Sequence, residues 1–209
     1  NAISQANGGF TTGGTAWYRK TFIVPDSLSG KQFTLKFDGL YMNAECWLNG
    51  HYLGFHPYGY TSFYYDITNR LVTGGKNTLA VKVRNEGENS RWYSGSGIYR
   101  HVWLTVDEPV HITTWGTGIA LLKIEDNAAA LVVKTNVANK KDVNSEIRLI
   151  TKIKDPKGNS SVQTESVRIL KPGEQYEFNR TLEVQDPVYW TTEIPALYTV
   201  VEEVYLDHR

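Results

Sequence analysis

Apolar and polar residues alternate with a period of two along almost the whole chain, and a helical period appears nowhere. In Trp17–Val24, Trp17, Arg19, Thr21 and Ile23 share one parity and Tyr18, Lys20, Phe22 and Val24 the other. Gln32–Phe37 sets Phe33, Leu35 and Phe37 against Gln32, Thr34 and Lys36, the pattern of a half-buried strand. Asn49-Gly50 stands between two apolar runs and predicts a type I′ hairpin, because both central residues of that turn need positive φ. Lys76–Arg84 aligns Leu79, Val81 and Val83. Ile98–Val106 is apolar on both parities and predicts one continuous strand, central or covered.

Asp107-Glu108-Pro109 interrupts the alternation, and proline, with no ladder donor, marks a boundary. Beyond it Leu131, Val133, Thr135 and Val137 alternate, as do Ile147, Leu149, Thr151 and Ile153, and then Tyr176, Phe178, Leu182 and Val184. Asp155-Pro156-Lys157-Gly158 fits a type I turn and Lys171-Pro172-Gly173 a second turn, while Tyr198–Leu206 reads as a last strand. Strands at this spacing over about a hundred residues suggest an immunoglobulin-like sandwich. The expectation is an all-β chain of two domains, residues 1–109 and 110–209, with almost no helix.

Composition narrows the function. Among 209 residues, 22 Lys plus Arg balance 22 Asp plus Glu, so no phosphate-seeking surface is indicated and nucleic acid is disfavoured as a partner. No apolar run approaches the length that spans a bilayer, which disfavours a membrane as well. Asn1–Thr12 is polar and glycine-rich, unlike a secretory signal. The one cysteine, Cys46, excludes an internal disulfide and reads as a small buried hydrophobe, so the compartment, periplasmic or cytoplasmic, is left open. Aromatics stand out: six Trp, thirteen Tyr and seven Phe. β-Propensity and core filling account for them first; the second account is stacking on the apolar C–H face of a sugar.

Catalytic patterns are missing. Retaining glycoside hydrolysis needs two carboxylates about 5 Å apart, one of them kept protonated. Asp38, Glu45, Asp66, Glu86 and Glu88 show no spacing that would pair them. His51 and His56 flank the hairpin and could meet across it, but further zinc ligands are lacking, and no cofactor is implied. Neither a Gly-x-Ser-x-Gly elbow nor a phosphate-binding glycine loop is present.

Several blocks in order resemble glycoside hydrolase family two. They are A-W-Y-R-K-T-F (16–22), F-D-G-L-Y-M-N-A-E-C-W-L-N-G-H-Y-L-G (37–54), Y-G-Y-T-S-F-Y-Y-D-I-T (58–68), N-T-L-A-V-K-V (77–83) and S-R-W-Y-S-G-S-G-I-Y-R-H-V-W-L (90–104). W-T-T-E-I-P-A-L-Y-T-V (190–200) is similar to the domain that follows in those enzymes, and the blocks lie nearest the bacterial β-galactosidases.

The resemblance implies a jelly-roll sugar-binding-type domain lacking its first strand, then an immunoglobulin-like sandwich lacking its last. A TIM barrel carrying the catalytic glutamates would follow. The chain's partners would be that barrel and, in the whole enzyme, a β-galactoside; homo-oligomerisation stays open. The loop before G-I-Y-R is the implied pocket rim, formed by Ser90, Arg91, Trp92 and Tyr93. Relatives with an acidic residue near the first two positions contact sugar hydroxyls there. This sequence has none, leaving Arg91 to donate hydrogen bonds and Trp92 to stack, unless Trp92 and Tyr93 only wedge between domains. Ser94–Gly97 would be the turn that returns the loop to its strand. Arg19 and Arg100 suggest buried or interface salt bridges, and Trp190 and Pro195 packing at the bottom of the second sandwich. Two rival readings are a free-standing carbohydrate-binding module and a ligand-free adhesion or structural sandwich pair.

Overall fold

The computed structural model describes residues 13–86, 95–125 and 127–206. The chain divides into two compact units, Asn1–Glu108 and Pro109–Arg209. Among the described residues both are built of strands, with 3-10 turns only at Asp26–Leu28 and Thr68–Arg70.

The first unit is a jelly-roll sandwich. Its strands are β1 (Gly14–Ile23), β2 (Gln32–Phe37), β3 (Leu40–Tyr41), β4 (Ala44–Leu48), β5 (His51–His56), β6 (Phe63–Asp66), β7 (Lys76–Asn85), β8 (Gly97–Ile98) and β9 (Val102–Asp107). One antiparallel sheet has the order β1-β7-β4-β5 and the other β6-β2-β9, with a short β3-β8 pair. The alternations in β2 and β7 act as read: Phe33, Leu35 and Phe37 meet Leu79, Val81 and Val83 in one core with Ala44, Cys46, Leu48 and Ile67. The hairpin also forms, with Asn49 at φ 51° and Gly50 at φ 82°. Asn49 is held from outside, its Nδ2 donating to Asn77 Oδ1 at 2.8 Å and its Oδ1 accepting from the Thr78 amide at 2.9 Å.

The run Ile98–Val106 is not one strand. Tyr99, Arg100 and His101 separate β8, which pairs with β3, from β9, which pairs with β2. The Tyr99 and Arg100 amides both turn to the Gly39 carbonyl, at 3.3 Å each, so the ladder breaks there. Nor is β9 central: among the described residues it pairs on one side only, as does β1. An apolar groove of about 610 Å³, lined by Tyr18, Phe22, Leu35, Leu79, Val102 and Leu104 among others, explains why both parities of β9 are apolar.

The second unit is an immunoglobulin-like sandwich. It comprises β10 (Val110–Ile124), β11 (Ala128–Asn139), β12 (Ser145–Lys154), β13 (Ser160–Leu170), β14 (Gln175–Gln185) and β15 (Thr199–Leu206). The sheets are β10-β11-β14 and β13-β12-β15. Its core is split. Val137, Ile147, Leu149, Leu170 and Phe178 form one apolar cluster, and Val133, Ile153, Leu182 and Val184 another. Between them lies a polar layer of Thr135, Thr151, Arg180 and Glu202, one residue from each of β11, β12, β14 and β15. Arg180 Nη2 bonds Glu202 Oε1 at 3.2 Å, and the hydroxyls of Thr135 and Thr151 donate to the two Glu202 oxygens at 2.9 Å each. Trp190 does not close this sandwich. It remains 58% exposed along an apolar groove, and Pro195 is exposed as well.

Candidate functional site

The structure fixes where the implied rim loop leaves and rejoins the first sandwich. Ser90, Arg91, Trp92 and Tyr93 themselves lie outside the described residues. On the departing side Asn85, the last residue of β7, is fully buried, and its Nδ2 donates to Ser96 Oγ on the returning side at 2.8 Å. The next residue, Glu86, accepts from Thr15 Oγ1 at 2.9 Å. On the returning side Gly97 pairs with Tyr41 and adopts φ 106°. That φ is one L side chains rarely adopt, and a Cβ there would also displace the Tyr18 hydroxyl, so glycine is strongly favoured. A hydrogen bond and a positive-φ glycine therefore fix the stem.

Aromatic residues gather around the β3-β8 pair and the segment after β5. Tyr41 and Tyr60 lie 5.2 Å apart by ring centroids, and Tyr58 meets Tyr60 edge-on at 5.6 Å. Tyr99 Oη donates to the Gly59 carbonyl at 2.8 Å, which fixes this corner to the residues just after β8. The Arg84 amide donates to the Met42 carbonyl at 3.0 Å, and Asn43 Nδ2 donates to the Arg84 carbonyl at 3.2 Å. Tyr58, Tyr60 and Tyr99 stay largely exposed, so this end presents ring surface and phenol hydroxyls without closing into a core.

The candidate acids do not assemble a hydrolytic pair. Asp38 Oδ2 accepts from the Trp103 indole at 2.6 Å and its other oxygen lies 3.3 Å from Lys36 Nζ. The Trp103 hydrogen bond, then Lys36, holds its pKa below 3.8 despite some desolvation, so Asp38 is a fixed anion. Glu45 pairs with Lys82 at 3.0 Å on the outer face of the first sheet. Asp66 accepts from the Thr68 amide at 3.0 Å and so caps the turn that follows β6. Glu86 is engaged by Thr15, as noted, and Glu88 lies outside the described residues.

Where carboxyl pKa values are displaced among the described residues, at Asp38, Asp155, Glu193 and Glu203, hydrogen bonds move every one down. A protonated general acid at neutral pH requires the opposite shift. His51 and His56 do not face each other across the hairpin, because both belong to β5. His56 stacks on Phe63 at 4.2 Å, and desolvation lowers its pKa. No group of three metal-ligating side chains occurs among the described residues. Arg19 and Arg100 are exposed, so neither makes a buried salt bridge. Cys46 is fully buried, and desolvation pushes its thiol up to about 12.

A jelly roll in the first unit and an immunoglobulin-like sandwich in the second define a two-unit β-sandwich class of chain, in which the candidate acids among the described residues are each engaged by a hydrogen bond or an ion pair. Comparison with known proteins gives the family. Residues 3–108 match the glycosyl hydrolases family 2 sugar binding domain, and residues 110–209 match the glycosyl hydrolases family 2 domain. The chain belongs to glycoside hydrolase family 2. It is 42% identical to the β-galactosidase BoGH2A of Bacteroides ovatus over 96% of its own length and 24% of that protein's. It is 36% identical to a putative β-glucuronidase of Formosa agariphila, covering 94% of this chain and 18% of the relative. Among solved structures, a family 2 member from Bacteroides cellulosilyticus superposes with a TM-score of 0.92 at 40% identity, over 100% of this chain and 27% of that one. The chain thus spans less than a third of the length of these curated relatives.

Proposed function

We propose that this chain is the non-catalytic N-terminal sandwich pair of a β-galactosidase-like glycoside hydrolase, residues 1–109 being the jelly roll and 110–209 the immunoglobulin-like domain. The pair supports a barrel domain that hydrolyses terminal β-galactosides, and Ser90, Arg91, Trp92 and Tyr93 line part of its sugar pocket. One observation carries the reading: 42% identity to a β-galactosidase runs through 96% of this chain yet accounts for only 24% of that enzyme. The engagement of Asp38 by Trp103, of Glu45 by Lys82 and of Asp66 by the Thr68 amide agrees, since the bond-breaking acids then belong to the barrel. A boundary at residues 108–110 in both the compact units and the family matches favours the stated division. The higher identity to the β-galactosidase than to the putative β-glucuronidase favours the galactoside.

Titration calorimetry with galactose and lactose tests this. The chain alone should bind in the millimolar range or not detectably, because a pocket divided among domains loses most of its contacts. In the enzyme containing it, Trp92→Ala should lower kcat/KM for a galactoside about tenfold. Micromolar binding of galactose by the chain alone would contradict the reading and favour a free-standing carbohydrate-binding module.

A further inference from the structure

The outer face of the four-stranded sheet carries aromatic rings that the core does not use. In β4 and β7 the residues Ala44, Cys46, Leu48, Leu79, Val81 and Val83 turn inward. Strand alternation therefore sends Glu45, Trp47, Ala80 and Lys82 outward. The registers then give two adjacent rows across the sheet. One reads Arg19, Ala80, Trp47, Tyr52, and the next Trp17, Lys82, Glu45, Phe55.

Trp17 and Trp47 come from strands separated by β7, yet their ring centroids are 5.3 Å apart at an interplanar angle of 32°. The small Ala80 between the strands leaves room for that approach. Trp47 and Tyr52 continue the strip at 5.5 Å and 55°. Lys82 Nζ is 6.0 Å from the Trp17 ring centre and 3.0 Å from Glu45 Oε1. Trp17 and Tyr52 are 60% and 54% exposed, so core filling does not explain them.

A pyranose offers an apolar C–H face and hydroxyls that both donate and accept. This face offers ring surfaces interleaved with donors, Arg19 and Lys82, and an acceptor, Glu45. Lys82 and Glu45 pair at contact distance, which leaves one guanidinium, Arg19, on these two rows, so the strip suits an uncharged ligand hydrogen-bonded by Arg19 better than a polyanion, which needs several cations. The tilt between successive rings suits a twisted single chain better than a flat crystalline surface. We infer that this face is a second carbohydrate site, taking a neutral glycan chain whose sugars stack on Trp17, Trp47 and Tyr52 while their hydroxyls bond the Glu45–Lys82 pair and Arg19. It lies on other residues than the rim at 90–93 and does not depend on that reading.

Affinity electrophoresis of the 209-residue chain through gels containing galactan, xyloglucan or galactomannan tests it, with polygalacturonate as the acidic comparator. At least one neutral polymer should retard the chain. Trp17→Ala and Tyr52→Ala should each weaken that binding about tenfold, with the melting temperature unchanged. Trp92→Ala should leave retardation as in the parent, so failure of the rim reading is distinguishable from failure of this one. Absence of retardation by every neutral polymer overturns the proposal, as does retardation that survives the Trp17→Ala/Tyr52→Ala double variant. Equal or stronger retardation by polygalacturonate overturns the neutral assignment.

Discussion

Removing one member of the buried polar layer in the second sandwich should cost far more than removing both charged members together. Arg180 and Glu202 have side chains only 5% and 7% exposed, between two apolar clusters. Arg180 also makes a short bond to the Thr135 hydroxyl, yet its Nε and Nη1 find no acceptor among the described residues. Desolvation accordingly lowers its pKa, against the raising effect of Glu202. Glu202→Leu leaves a buried guanidinium without its counter-charge, a cost of about 3–5 kcal/mol. Arg180→Met leaves a buried carboxylate with two hydroxyl donors and should cost a similar amount.

The double variant removes the desolvation penalty of both ions, which offsets the loss and can stabilise by about 1–4 kcal/mol. Against this stand two lost threonine–carboxylate bonds at about 1 kcal/mol each. The double variant should therefore lie within about 2 kcal/mol of the parent and fall short of the summed single costs by more than about 2 kcal/mol. Urea unfolding read by tryptophan fluorescence measures the three costs. For a domain of about a hundred residues, the single losses should lower Tm by at least about 12 °C. Hydrogen exchange of the β14 and β15 amides assigns the change to the second unit. Additive costs, or a Glu202→Leu cost below about 1 kcal/mol, refute the reasoning.

Other perturbations read single contacts. Trp103→Phe removes the largest cause of the low Asp38 pKa, so Asp38 should titrate closer to 3.8 by carboxyl NMR; an unchanged titration contradicts the assignment. Because the folded value is depressed, Asp38's stabilising contribution is complete above the unfolded carboxylate value. It disappears as pH falls through the lowered one, and in Trp103→Phe the contribution is smaller and its loss is complete at higher pH. Asn77 is fully buried, accepts from the Val72 amide and Asn49 at 2.8 Å each, and donates to the Val72 carbonyl at 2.8 Å. Asn77→Ala should cost about 2–4 kcal/mol in urea unfolding, since it leaves buried backbone groups unpaired; a cost under about 1 kcal/mol contradicts that role. Cys46, buried with its thiol pushed up to about 12, should resist Ellman's reagent in mildly alkaline buffer and react fully in urea.

Much of the fold was legible because alternation and turn chemistry are local. Phe33, Leu35 and Phe37 announce β2, and Asn49-Gly50 fixes its hairpin through backbone φ alone. What failed was non-local. Apolar residues on both parities of 98–106 suggested a covered strand, but they border a groove, and Tyr99–His101 break the ladder by bonding around Gly39 and Asp38. Arg180 hides inside an otherwise apolar parity, between Phe178 and Leu182, where only the facing Glu202 explains it. Trp190 was read as a packing residue because large apolar side chains usually pack, and its neighbours leave it open. The outer-face strip was legible only in part: Trp47 and Tyr52 flank the Asn49-Gly50 hairpin, but Trp17 is distant in sequence and only the register through β7 brings it beside them. At the candidate rim, the loop stem is now placed, while Ser90, Arg91, Trp92 and Tyr93 rest on the family resemblance.

The central claim is that these sandwiches supply scaffold and rim, and that the carboxylates which cleave the glycosidic bond lie in another domain. The most direct measurement is hydrolysis of p-nitrophenyl β-galactoside by the purified 209-residue chain, expressed in a host lacking its own β-galactosidase. The account predicts no release of nitrophenol above the uncatalysed rate. Turnover on the order of 1 per second or faster, within the ordinary enzymatic range, would contradict it.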